Sequence, residues 1–208
     1  VLELGSGIGR IQTVLQQAGI HTVGIELNAQ AIAIASGRGV KTISADMRNF
    51  SLSQKFDRVI IPYNSLYCLT NIDEQIKCLR CVSAHMRSKG TLIFDVYAGD
   101  AFSTELTVSR TDSIEIVTQI TINDELWDVY ECSELDAVSQ KITVTYTYLS
   151  QLTGETKRGV IHHRYLCSHD IPELLENAGL ILDSMHGDFD ESPFDDMSEF
   201  MVIRAKHA

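Results

Sequence analysis

Three carboxylates and a run of glycines carry the chemistry that can be read from this chain. Glu3-Leu-Gly5-Ser6-Gly7-Ile-Gly9-Arg10 grows directly out of the apolar Val1-Leu-Glu-Leu4, so the glycines fall where a strand turns into a helix. Without Cβ atoms at that turn, a ligand can lie against the backbone. The spacing is G-x-G-x-G, one residue shorter than the dinucleotide fingerprint G-x-G-x-x-G, and an acid precedes it. Glu3 would repel a pyrophosphate and would hold a ligand with a cationic amino group, directly or through water. Glu26 closes Val23-Gly-Ile-Glu26, 21 positions after Gly5, where a carboxylate can accept from both hydroxyls of a ribose. In Ala45-Asp46-Met47, Asp46 offers an acceptor for an exocyclic adenine amine and Met47 an apolar side chain to lie against the ring. Each acid alone reads equally well as a solvated loop residue. Placed in order at the ends of three successive strands, they describe an adenosine site.

ELGSGIG, GIE, ADM and the later FDRVIIPYNSL together resemble the class I S-adenosylmethionine-dependent methyltransferases, over almost the whole chain. The inserted segment, His162-His-Arg-Tyr165, the helix after it and Gly187-Asp-Phe-Asp190 are similar to small-molecule N- and O-methyltransferases, a group that includes amino-sugar and glycine N-methyltransferases. The resemblance implies S-adenosyl-L-methionine as cofactor. Glu3, Gly5, Ser6, Gly7, Gly9 and Arg10 would surround its methionine part, Glu26 and Leu27 the ribose, and Asp46 and Met47 the adenine. Pro62 and Tyr63 would pass beside the reactive methyl. Ile61-Pro-Tyr-Asn64 is a broken form of the Asn/Asp-Pro-Pro-Tyr motif of amino-methylating enzymes, with Ile61 in place of the polar first residue, so it does not separate N from O acceptors.

Displacement at a sulfonium methyl needs alignment and exclusion of water more than a protein nucleophile. A base is needed only for an acceptor that arrives protonated, and His162, His163 and His186 are the candidates. Alternation along a strand sends His162 and His163 to opposite faces, so at most one faces a pocket. Asn64, Tyr67, Tyr97, Trp127, Tyr146 and Arg164 are candidate acceptor contacts, Arg164 for a carboxylate or phosphate; Trp127 and Tyr146 read first as the core of the inserted segment. No His, Cys or carboxylate spacing makes a metal site. Two other functions stay open: a nicotinamide-type oxidoreductase, which the short glycine spacing and Glu3 disfavour, and an S-adenosylmethionine-binding protein without catalysis.

These residues need a scaffold that brings strand ends to one edge. The first half alternates β-rich runs, at about residues 1–4, 22–26, 42–44, 56–62 and 91–96, with amphipathic helices, the pattern of a Rossmann-like doubly wound, mostly parallel sheet. The clearest helix spans about residues 72–87, with Asn71 and Glu74 as a capping box and Gly90 past its end. From about Asp112 to Leu166, β-branched and aromatic residues alternate, as in Lys141-Ile-Thr-Val-Thr-Tyr-Thr-Tyr148, and predict an antiparallel insertion. A helix from Ser168 to Ala178, stopped by Gly179, and strands near 180–185 and 200–204 follow, the last expected antiparallel. We therefore expect a single domain over 1–208 with an inserted antiparallel β cap at 104–166. The chain starts inside its first core strand and reads as a piece of a longer protein.

The balance of 28 acids against 17 bases, a net charge of −11, argues against nucleic acid as a partner. No apolar run is long enough for a membrane span and no signal segment leads the chain. Five cysteines, an odd number in a chain with its own core, predict cytosolic thiols. The expectation is a cytoplasmic monomer or homodimer acting on a small-molecule acceptor.

Overall fold

The computed structural model describes residues 1–102, 108–112 and 116–208. They fall into two compact units, one of residues 1–101 and 166–208, the other of residues 102–165.

The first unit opens with β1 (Leu2–Leu4), α1 (Arg10–Gln17), β2 (Val23–Glu26), α2 (Ala29–Gly37), β3 (Thr42–Ser44), β4 (Phe56–Ile61), α3 (Ile72–His85) and β5 (Met86–Tyr97). The second unit holds β6 (Val108–Asp112), β7 (Thr118–Ile122), β8 (Glu125–Asp136), β9 (Lys141–Ser150) and β10 (Thr156–Arg164). The chain then returns to the first unit through α4 (Ile171–Glu176), β11 (Leu180–His186) and β12 (Phe200–His207).

In the first unit seven strands pair in the order β11-β12-β5-β4-β1-β2-β3. β1 to β5 are mutually parallel where they pair, and β12 is antiparallel to β5 and to β11. Every residue of β1 is buried, as a strand covered on both faces requires. Leu2, Leu4, Ile25, Val59, Ile61, Leu92, Phe94 and Ile203 form the core along the strands. Because β1 pairs β2 on one side and β4 on the other, the strand order reverses at β1, and the loops leaving β1 and β4 diverge to open a crevice at their carboxyl ends.

The second unit is antiparallel throughout, in the order β10-β9-β8-β6 with β7 also on β8. Asn123 and Asp124, both left-handed at φ 51° and 63°, make the two-residue turn between β7 and β8 that matches strand twist. Trp127 and Val129 are buried in β8, and Asp128 beside them accepts from Gln119 Nε2 and Gln151 Nε2, each at 2.8 Å.

Several boundaries differ from the sequence expectation. α3 ends at His85 and runs straight into β5, so Gly90 lies inside a strand and not past a helix end. The capping box is half formed: Asn71 Oδ1 accepts from Asp73 N at 2.8 Å, whereas the Glu74 side chain turns to Arg48. The expected helix over 168–178 is shorter, a 3-10 turn at Ser168–Asp170 followed by α4, because Pro172 sits in the first turn of α4 and fixes where it starts. Among the described residues no helix is long and apolar enough to cross a membrane.

Candidate active site

The glycine loop and Glu26 are tied together. Gly7 N donates to Glu26 Oε2 at 2.7 Å, and Leu27 N and Asn28 N donate to Oε1, each at 2.8 Å. Three backbone donors fix the carboxylate and leave lone pairs on Oε2 for a ligand. Gly5 and Gly7 are left-handed, at φ 64° and 54°. A Cβ on Gly5 would stand 2.9 Å from Ser65 Cβ, while one on Gly7 would meet no atom within 4 Å and would project into open space.

Two cavities share Gly5 and Ser65. One, of about 540 Å³, is lined among others by Ile25, Glu26, Leu27, Asp46, Met47 and Cys68. The other, of about 330 Å³, is lined by Glu3, Ser6, Gly7, Arg10, Pro62 and Tyr63 among others. Leu27, an apolar side chain at the wall of the first, is 65% exposed. In the same wall Arg48 forks onto Asp46, with Nε 3.0 Å from both carboxylate oxygens and a terminal nitrogen 2.6 Å from Oδ2, and also pairs with Glu74. The guanidinium holds the Asp46 carboxyl below the usual carboxylate range.

Glu3 is 2% exposed and its Oε2 has no hydrogen-bond partner among the described residues. Burial pushes its carboxyl up from 4.5 to about 7, against hydrogen bonding at Gln12 and the charge of Arg10. A buried acid that lines a cavity and has one oxygen without a partner fits a ligand that brings an ammonium group.

The loop after β4 carries the second half of the candidate set. Tyr63 and Asn64 are consecutive left-handed residues, at φ 58° and 59°. For side chains of this size that conformation costs about 1–3 kcal/mol each and persists only where the surroundings impose it. Here Tyr63 N donates to Asp95 Oδ2 at 2.9 Å, Asn64 N to Asp95 O at 3.1 Å, and Tyr97 N to Asn64 Oδ1 at 2.7 Å. Asn64 and Tyr97 thus face one another. Tyr67 is fully buried, its hydroxyl 2.9 Å from Tyr97 O and 3.2 Å from Leu166 O, so it fastens three chain segments together.

Trp127, Tyr146 and Arg164 lie in the second unit. Trp127 is 1% exposed, with Lys157 Nζ 4.5 Å from its ring centre. Tyr146 pairs with Glu131 and Gly159, and Arg164 donates to Gln140 Oε1 at 2.5 Å. His162 is exposed and hydrogen-bonded to Thr143 Oγ1, while burial pushes half-buried His163 down. Both ring nitrogens of His186 are engaged, with Glu191 O and Ser184 Oγ. Arg48, Ser65, Cys68 and Asp95 were not singled out from sequence. Only Asp95, an acid inside the apolar Leu92-Ile-Phe-Asp-Val96, carried a local signal.

All five cysteines are free. The sequence spacing offered no metal ligand set. Among the described residues Asp100, Cys167 and His169 each bring one ligand atom within 4.8 Å of the others, but Asp100 and His169 are exposed. Both Asp100 oxygens already accept from Ser168, at 2.7 and 2.8 Å.

Residues 1–90 match the family described as a methyltransferase domain. The chain is 22% identical over 220 residues to the putative methyltransferase YqeM of Bacillus subtilis, an alignment covering 99% of this chain and 83% of that one. Its fold is that of the CcbJ methyltransferase from Streptomyces caelestis, with TM-score 0.87 and 24% identity over 100% of this chain and 82% of that one. It also matches S-adenosylmethionine-bound CalS10, an amino pentose methyltransferase from Micromonospora echinaspora, with TM-score 0.71 and 17% identity over 99% and 82% of the two chains.

Proposed function

We propose that the chain is a class I S-adenosylmethionine-dependent methyltransferase whose acceptor is an N- or O-nucleophile on a small molecule. One observation carries the assignment of the cofactor site: the Gly7 N to Glu26 Oε2 hydrogen bond, which joins the glycine loop and the ribose carboxylate at two cavities that meet at Gly5. Glu3 would hold the cofactor's ammonium and Arg10 its carboxylate. Glu26 would take the ribose hydroxyls, and Asp46 and Met47 the adenine. Pro62 and Tyr63 would stand at the methionine end.

When bound, the cofactor supplies a methyl group on a sulfonium, with a good leaving group already in place. The chain's own task is to orient and to keep water out, and the rigid strand ends do this without a nucleophilic side chain. Of the histidines, burial pushes His163 down, which keeps its imidazole neutral but makes it a weaker proton acceptor. In this reading 1–208 is one methyltransferase domain with 104–166 inserted. The enzyme is cytoplasmic, a monomer or homodimer, and its net charge of −11 disfavours nucleic acid as substrate.

Melting temperature with added S-adenosylmethionine, S-adenosylhomocysteine, NADH or ATP tests the reading. A ligand at 100 times its dissociation constant adds about 2.7 kcal/mol to stability, or roughly 5–11 °C in a chain of this size. The two sulfur nucleosides should raise the melting temperature and the other two should not. A shift with NADH alone would return the chain to the oxidoreductases.

A further inference from the structure

Tyr63 is in the wrong place for an ordinary tyrosine. Its backbone is left-handed at φ 58° with no glycine to ease it, and its side chain is 76% exposed, so neither backbone preference nor burial explains it. What the geometry gives Tyr63 is Arg10, whose guanidinium carbon lies 5.7 Å from the centre of its ring. Both residues line the smaller cavity with Glu3. Exposed Arg10 is a long side chain with many rotamers, and a ring beside the guanidinium removes much of that freedom.

The backbone conformation that holds the ring there is imposed from β5. Asp95 contributes twice, its carboxylate accepting from Tyr63 N at 2.9 Å and its carbonyl from Asn64 N at 3.1 Å. On the other flank Ser65 Oγ and N bond back to Pro62 O, at 2.6 and 3.2 Å, closing the turn. A half-buried acid within the apolar stretch Leu92-Ile-Phe-Asp-Val96 is costly to keep, and here its carboxylate satisfies the amide of the strained residue.

We propose that Asp95 is a positioning residue for the cofactor's amino-acid end: through the Tyr63 amide it sets the turn that holds the Tyr63 ring against Arg10, the partner of the cofactor carboxylate. The proposal rests on the assignment of Arg10 above. It separates two ligands that share adenosine and sulfur. S-adenosylhomocysteine carries the amino-acid end, and 5′-methylthioadenosine lacks it.

Calorimetric titration of both nucleosides into the full chain and its variants tests this. Asp95→Ala should weaken S-adenosylhomocysteine about tenfold and leave methylthioadenosine within about twofold. Asp95→Asn, whose amide oxygen can still accept from Tyr63 N, should recover most of the loss. Tyr63→Ala should match Asp95→Ala, Tyr63→Phe should bind as wild type, and the double alanine variant should be no worse than either single one, because both act through one contact. If Asp95→Ala does not fold, Asp95→Asn and the Tyr63 pair decide the matter. The proposal alone is overturned if wild type binds both nucleosides and the alanine variants keep wild-type affinity for S-adenosylhomocysteine, or lose both nucleosides equally. A wild-type chain that binds neither overturns the cofactor reading and this proposal together.

Discussion

Glu3 is the residue where burial and the proposed contact with a ligand ammonium pull in opposite directions. Its carboxyl is held up at about 7 by burial, against an ordinary 4.5. The folded chain therefore binds a proton there more tightly than the unfolded chain does. This group's contribution to stability is fully present below about pH 4.5 and is lost as pH rises towards 7. A ligand ammonium reverses the preference, since it favours the ionised acid. Affinity for S-adenosylhomocysteine should accordingly rise about eightfold from pH 6 to pH 7.5 as ionisation stops being charged against binding. The Glu3→Gln variant should bind more weakly and with a flat profile over that range. Titrations in matched buffers measure it, and a wild-type affinity independent of pH would remove Glu3 from the ammonium site.

At the scale of elements, α3 shows how a local signal can be half right. Asn71 caps the helix through the Asp73 amide, so Asn71→Ala should cost about 1 kcal/mol, seen as a fall in melting temperature of about 2–4 °C. An unchanged melting temperature would mean that the cap is replaced by water. Glu74 has the right spacing for the reciprocal bond but is drawn to Arg48, 26 residues earlier in the chain. No pattern within one helix can show that pull. The same distinction divides the rest of the molecule. β1, β2, β4, β12 and the glycine turn were legible because periodicity and turn chemistry are local. So were Glu26, Asp46 and Met47, which stand at strand ends and line one cavity. Tyr67 follows a strand end, which points to an acceptor contact, but its hydroxyl is taken by the carbonyls of Tyr97 in β5 and of Leu166, partners that lie 30 and 99 residues away in the chain. For Asp95 the local signal, an acid within Leu92-Ile-Phe-Asp-Val96, does not show what the carboxylate meets. Its role exists only through the pairing of β4 with β5 and the left-handed turn at Tyr63.

For the molecule as a whole, the net charge of −11 acts on the reaction through the difference between its two nucleosides. S-adenosylmethionine carries a sulfonium that S-adenosylhomocysteine lacks, so methyl transfer turns a cation into a neutral zwitterion at the site. A negative protein field favours the first over the second, which helps the cofactor arrive and its product leave. Contacts to adenine, ribose, ammonium and carboxylate are common to both ligands and cancel in the ratio of their affinities. What remains is the sulfonium in the field of its surroundings. That field reaches about 30 Å at 0.01 M salt and about 8 Å at 0.15 M. If distant surface acids contribute to it, the preference for S-adenosylmethionine should shrink roughly two- to fivefold between those salt concentrations. Paired titrations at fixed pH measure this directly. A ratio that does not move with salt would mean that the sulfonium is sensed only by groups within the cavities and that the overall charge has no part in exchanging cofactor for product.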